Sequence, residues 1–125
     1  MKSWPSITPM SIDRSLLHEY SDGDRDFEQE LLHLFVDDTQ HHLASLKAAI
    51  SNQNFDIATR EAHHIKGASA HVGAVAMFAI ATEVEALIKQ KITPPSLPLL
   101  SQLETAYQDV IAVTEQWDQE STALS

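Results

Sequence analysis

Apolar residues recur at steps of three and four along most of the 125-residue chain, and only three glycines and five prolines interrupt them. This spacing places the apolar side chains on one face of an α-helix, and no segment shows the alternating pattern of a β-strand between turn residues. The length is close to that of one ordinary domain, which buries about two thirds of its unfolded surface. The sequence therefore predicts a single all-α domain.

Capping and helix-breaking residues divide the chain into one short helix and four long ones. Ser11 and Asn54 are good N-caps, and Gly73 suits the left-handed position after a helix end. The adjacent Pro94 and Pro95 cannot continue a helix. The predicted helices run from Ser11 to about Tyr20, Asp24 to Ser51, Asn54 to Gly73, Ala74 to Gln90, and Ser96 to about Trp117.

The second and third of these helices carry clear apolar rows. The predicted core residues of the second are Phe27, Leu31, Leu34, Phe35, Leu43, Leu46 and Ile50. Its polar stretch, 37–42, either continues the helix or marks a kink. The predicted row of the third helix is Ala58, Ala62, Ile65, Ser69 and Val72.

Four amphipathic helices with short connections pack most simply as an antiparallel up-down-up-down four-helix bundle. The short N-terminal extra helix would then form a lid over one end, and an irregular helical array is the alternative. We assign residues 1–10 to an N-terminal tail, 11–119 to the bundle and 120–125 to a C-terminal tail.

The charge and composition exclude several classes of function. Eight basic and 18 acidic residues give a net charge of −10, which disfavours nucleic acid and anionic lipid as partners. The absence of cysteine excludes thiol catalysis and cysteine metal sites. The N-terminus has no apolar signal segment, and the longest apolar run, 72–81, is about half of a membrane span. We expect a soluble cytoplasmic domain.

The third helix carries two residues that the fold does not explain. On a helix with about 100° per residue, His63 lies about 140° from the apolar row and Gly67 lies nearly opposite it. An exposed glycine within a helix costs about 1 kcal/mol relative to alanine. Because side chains lean toward the helix N-terminus, a bare Gly67 uncovers the imidazole, and the small Ala70 extends the uncovered surface.

The surroundings of His63 are positive, in contrast to the rest of the chain. Arg60 and Lys66 lie three residues before and after it, and the stretch 62–82 contains no acidic residue. An accessible imidazole between two cations suits a histidine that carries a phosphoryl group as a covalent intermediate. The alternative is a histidine exposed by chance beside a tolerated glycine.

The segment 62–74, AHHIKGASAHVGA, resembles the signature AHxLKGSSxxLGA of histidine-containing phosphotransfer (HPt) domains, which act in two-component phosphorelays. The resemblance implies that His63 is phosphorylated, that Lys66 stabilises the phosphate and that Gly67 gives steric access. Arg60 is a candidate for charge steering. His64, Ala70 and His71 are candidates for partner binding. The departures from the signature are Ile65, Ala68 and Val72, and Ala68 leaves Ser69 as the remaining hydroxyl.

The resemblance also implies how such a protein works. A stand-alone HPt protein accepts a phosphoryl group from an aspartate of one receiver domain and passes it to another. We expect receiver domains of a hybrid sensor kinase and of a response regulator as partners, and a monomeric state. We expect no intrinsic cofactor, with Mg²⁺ only in the receiver, and no autokinase activity, because a Gly-rich nucleotide loop is missing.

Parts of the sequence also fit three other functions. A metal-binding bundle is suggested by the Glu-x-x-His pairs Glu30/His33 and Glu61/His64, but these histidines are predicted to point away from the core. A surface zinc site is disfavoured because no two histidines lie three or four residues apart, although Asp37/His41 and Asp38/His42 have workable spacing. The third is an adaptor that binds receivers without phosphorylation, which is disfavoured because both the histidine and its nearby lysine are present.

Overall fold

The computed structural model describes residues 12–90 and 96–124, with side chains for 12–90 and 98–120. Five helices account for nearly all of them: α1 (Arg14–Ser21), α2 (Arg25–Ser51), α3 (Phe55–His71), α4 (Val75–Lys89) and α5 (Ser96–Leu124). Within those ranges there is no strand, so the all-α prediction is confirmed. The predicted tail 1–10, the Ser11 cap and the Pro94-Pro95 break lie outside the described residues.

The four long helices form a closed ring. Helix α2 packs on α3, α3 on α4 and α4 on α5, and α5 returns to α2. Short connections between consecutive helices make neighbours antiparallel, which confirms the predicted bundle. The short α1 contacts α2 and α3, and the Asp13 amide donates to the Gly73 carbonyl oxygen at 2.7 Å. The lid therefore sits where α3 ends and α4 begins.

Side-chain caps start the first three helices. Asp13, Asp24 and Asn54 each accept a hydrogen bond from a backbone amide two or three residues later. Each such cap stabilises its helix by about 1 kcal/mol. The Asn54 prediction is confirmed, and the cap that the structure describes for α1 is Asp13, whose carboxylate accepts a hydrogen bond from the amide of Ser15.

The buried face of α2 differs from the predicted row. Phe27 and Leu34 are 42% and 65% exposed, so their assignment to the core was wrong. Leu32 and Thr39 are buried in their place, because α2 contacts both α3 and α5 and its buried face follows those two neighbours. The polar stretch 37–42 lies within a continuous helix.

The last helix is longer than the sequence predicted. Helix α5 continues to Leu124, so the expected boundary at residue 119 falls inside it. Neither glycine nor proline occurs from 99 to 125, so nothing in that stretch interrupts the helix. No helix in the described part of the chain is long and apolar enough to cross a membrane.

Two of the three glycines differ in whether the fold requires them. Gly73 has a φ of +71°, and a Cβ there would lie 2.6 Å from the Asp13 carbonyl oxygen. At Gly67, by contrast, a Cβ would have no neighbour within 4 Å. The lid therefore depends on Gly73, whereas the fold does not require Gly67.

This contrast predicts opposite effects of the same substitution. Gly73→Ala should lower the free energy of unfolding by at least about 1 kcal/mol. The alanine would have to adopt a positive φ, and its Cβ would clash with the Asp13 carbonyl oxygen. Gly67→Ala should raise it by up to about 1 kcal/mol, because alanine is the better helix former. Urea denaturation of both variants tests this, and a shift of both in the same direction would contradict it.

Candidate functional site

His63 lies on the outer face of α3, where the sequence placed it. Its side chain is 68% exposed, whereas Ala62 and Ile65 on the other side of the helix are fully buried. Gly67 follows one turn later and has open space where a side chain would be. The predicted exposure of the imidazole and the bare helix surface beside it are both confirmed.

The His63 ring is held by a carboxylate from the neighbouring helix. Its Nδ1 lies 3.0 Å from Oε2 of Glu85, a residue of α4 that is only 5% exposed. A carboxylate can only accept a hydrogen bond, so Nδ1 carries the proton in this contact. In a neutral ring the other nitrogen, Nε2, then has a free lone pair and can act as the nucleophile.

Glu85 also binds two lysines. Lys66 Nζ lies 2.9 Å from Oε1, and Lys89 Nζ lies 3.4 Å from Oε2. Burial raises the pKa of the Glu85 carboxyl, but hydrogen bonds from Lys66, His63 and Lys89 outweigh burial and leave that pKa below its usual value. Glu85 is therefore ionised, and the two ammonium groups beside it leave the site with an excess of positive charge.

Glu85 is not among the site residues that the sequence predicted. The stretch 62–82 has no acid along the chain, but the adjacent helix brings a carboxylate to it, so the surroundings of His63 are less positive than predicted. A signal was present: Glu85 lies four residues after Ala81, on the face of α4 that is buried in the bundle. A glutamate on a buried face must find cationic or hydrogen-bonding partners.

The other predicted residues lie at different places along α3. Arg60 is exposed on α3, one turn before His63. Ala70 is also exposed and borders a depression of about 190 Å³ between α1 and the start of α4. His71 lies edge-on against Tyr20 of α1, with ring centroids 5.2 Å apart. The structure thus brings Lys66 into contact with Glu85, the partner of His63, whereas Arg60, Ala70 and His71 are exposed elsewhere along α3.

His64 points to the opposite flank. Its Nε2 lies 2.9 Å from Oδ2 of Asp38 on α2, and its ring stacks on His42 with a centroid distance of 3.7 Å. Glu61 lies on the same flank, 2.9 Å from His42 Nδ1. Consecutive histidines of α3 therefore contact different helices, His63 toward α4 and His64 toward α2.

Ser69 is not part of the exposed site. Its side chain is fully buried, and its hydroxyl donates to the Ile65 carbonyl oxygen at 2.7 Å. The hydroxyl that the sequence analysis left open for the site is used within the helix.

The two Glu-x-x-His pairs do not form a metal centre inside the bundle. His33 lies near Asp118 of α5, and His64 lies near Asp38 of α2. Both imidazoles are about half exposed, as their predicted orientation away from the core requires.

Fold and site together define a four-helix bundle in which an exposed histidine lies beside a bare glycine and is held by a buried carboxylate that also binds lysine. The family model of the Hpt domain matches residues 30–113, which is more than half of the chain. The chain belongs to the Hpt domain family.

Individual relatives agree with this assignment. The phosphorelay intermediate protein rdeA of Dictyostelium discoideum is 30% identical over 78 residues, which cover 62% of this chain and 31% of that protein. Histidine-containing phosphotransfer protein B of Pseudomonas aeruginosa PAO1 has a TM-score of 0.83 at 26% identity, covering 90% of this chain and 98% of that chain. The HPT domain of a Shewanella Hpt sensor hybrid histidine kinase, at 19% identity, supports the fold alone, with a TM-score of 0.69 and coverage of 86% and 96%.

The lowered pKa of Glu85 predicts a pH-dependent contribution to stability. Glu85→Gln should lower the free energy of unfolding by about 1.5 kcal/mol at neutral pH, because charge-assisted hydrogen bonds to Lys66, His63 and Lys89 are lost. A carboxyl whose pKa is lower in the folded state contributes fully above its unfolded value near 4.5, and this contribution is lost as the pH falls through the folded value.

Urea denaturation at neutral pH and at several values below 4.5 measures this difference. Glu83→Gln is the matched control, because Glu83 is exposed on the same helix. If the loss in free energy of unfolding caused by Glu85→Gln does not change with pH, the ionised carboxylate is not the source of the stability.

Proposed function

We propose that this protein is a histidine phosphotransfer protein of a two-component phosphorelay. His63 accepts a phosphoryl group from the aspartate of one receiver domain and passes it to the aspartate of another. The observation that carries the proposal is the exposed His63 ring, with Nδ1 held by the buried Glu85 and Nε2 left for reaction.

The transfer uses the His63 ring as a nucleophile. The lone pair of Nε2 attacks the phosphorus of the phosphoaspartate, a P–N bond forms and the P–O bond to the aspartate breaks. The electron pair of that bond returns to the receiver carboxylate. The positive charge that develops on the ring is stabilised through Nδ1–H by the Glu85 carboxylate 3.0 Å away. Phosphoryl transfer needs little else beyond in-line positioning and charge stabilisation.

Cations of the bundle neutralise the incoming phosphate. Lys66 lies on the same helix as His63, and its ammonium group is fixed 2.9 Å from Glu85 Oε1. It supplies a positioned positive charge near the phosphoryl oxygens, as the predicted role requires. Arg60 is exposed one turn before His63 and steers an acidic receiver surface toward it. Mg²⁺ and the acidic cluster that binds it belong to the receiver, and this chain acts as a carrier without its own kinase activity.

The receiver docks on the apolar surface beyond Gly67. Ala70 lies seven residues after His63 and so on the same side of α3. It borders the depression of about 190 Å³ whose rim includes Leu16 and Phe78, which are 42% and 40% exposed. Exposed apolar groups of this kind suit a transient protein contact. We assign the receiver domains of a hybrid sensor kinase and of a response regulator to this surface, with His71 at its margin and the protein acting as a monomer.

The phosphorylation site can be tested against a neighbouring histidine. Receiver domains of the source organism, phosphorylated with radiolabelled acetyl phosphate, are mixed with the wild type, His63→Gln and His64→Gln. The wild type and His64→Gln should gain acid-labile, alkali-stable label, and His63→Gln should not. Label on His63→Gln would overturn the site. Binding of a receiver without any transfer of label would instead identify an adaptor.

The access role of Gly67 predicts a loss of rate without a loss of stability. Gly67→Gln should slow transfer by about 10- to 100-fold, because its side chain extends over the imidazole and displaces the approaching phosphoryl group. Circular dichroism should show an unchanged fold, since a Cβ at this position meets no atom within 4 Å. Gly67→Ala is the matched control with a smaller effect, and a normal rate for Gly67→Gln would contradict the access role.

A further inference from the structure

A second group of polar side chains lies on the flank of α3 that His63 does not use. Asp38 and His42 come from α2, and His64 comes from α3. One potential ligand atom from each lies within 4.8 Å of the other two. Asp38 Oδ2 is 2.9 Å from His64 Nε2, and Asp38 Oδ1 is 3.4 Å from His42 Nε2.

Both imidazoles face the same carboxylate, and His64 turns out of their stack when it shares an ion with His42, because a histidine nitrogen binds a metal in the plane of its ring. Their rings stack with centroids 3.7 Å apart and planes 28° apart, and both direct Nε2 toward the Asp38 carboxylate. The Nδ1 of His42 is 2.9 Å from Glu61 Oε2. A carboxylate on the second ring nitrogen is the usual device that fixes the orientation of a metal-binding histidine and increases its basicity.

The separations suit a small cation. Ligands around a tetrahedral ion, with bonds of about 2.0 to 2.2 Å, lie about 3.3 to 3.6 Å from one another. The contacts of 2.9 and 3.4 Å join the imidazoles to different oxygens of Asp38, and the three ligand atoms lie within 4.8 Å of one another, so a small movement of the side chains brings them to that spacing. Asp38 and His64 are about half exposed, so their side chains can adjust and solvent can reach the site.

We propose that Asp38, His42 and His64 bind one divalent transition-metal ion of the Zn²⁺ type, with water as the fourth ligand and Glu61 orienting His42. Two imidazoles and one carboxylate are ligands that Zn²⁺ accepts, whereas Mg²⁺ and Ca²⁺ prefer oxygen alone. The sequence showed the workable spacing of Asp38 and His42, but spacing along one helix does not reveal that His64 of the neighbouring helix joins them.

The ion connects α2 to α3 next to the phosphorylation site but does not use it. The His63 ring is turned toward Glu85 on α4, so it is not among the ligands. Because the ion binds only the assembled pair of helices, it stabilises the folded state in proportion to its occupancy. Metal binding and phosphotransfer are therefore separate properties, and the failure of one leaves the other untouched.

Isothermal titration of ZnCl₂ into the untagged full chain tests the site without any receiver domain. The wild type should bind one ion. His42→Gln and His64→Gln should each bind at least about tenfold more weakly, and Glu61→Gln should lose about 10- to 100-fold as an orienting residue. Zn²⁺ should raise the Tm of the wild type but not that of His64→Gln.

Two matched controls isolate the ligands. His41→Gln removes the exposed histidine beside His42, and His63→Gln removes the one beside His64; both should keep the wild-type affinity and the Zn²⁺-dependent rise in Tm. Equal affinity of the wild type and the His42→Gln and His64→Gln variants would overturn the proposal and leave only an ion-pair network. Equal loss in a control would overturn the ligand assignment, and binding of Mg²⁺ as tight as that of Zn²⁺ would overturn the class of ion.

Discussion

The buried carboxylate of Glu85 is the interaction on which the rest of the site depends. An ionised group that is only 5% exposed would be costly by itself, but Lys66, His63 and Lys89 provide it with donors. The same contacts join α3 to α4, set the His63 tautomer and fix an ammonium group near the ring. One carboxylate thus connects the stability of the bundle to the chemistry of its surface.

The position of α3 between α2 and α4 explains why consecutive histidines have different roles. Residues next to each other on a helix point about 100° apart, so His63 reaches α4 and His64 reaches α2. We propose the first as the nucleophile beside Glu85. The second joins Asp38 and His42 on the opposite flank, where a metal ion can be tested independently of phosphotransfer.

Gly67 illustrates a cost in stability that the fold itself does not demand. Its surroundings have room for a side chain, so an alanine there would favour the helix. In the proposed function the bare position keeps the His63 ring open to a partner, and the exposed Ala70 continues that surface. Functional surfaces commonly retain such weak positions, because more stable residues would obstruct them.

The sequence by itself determined the helices and the exposed residues of α3. Helical spacing predicted the bundle, the outward direction of His63 and the empty surface at Gly67, because the angle of a residue on its own helix follows from its position alone. It did not determine that Phe27 and Leu34 are exposed, that Glu85 holds His63, or that Asp38 and His42 meet His64. These contacts depend on which helix lies alongside and on its position along the bundle axis. Only the packing of the bundle decides both.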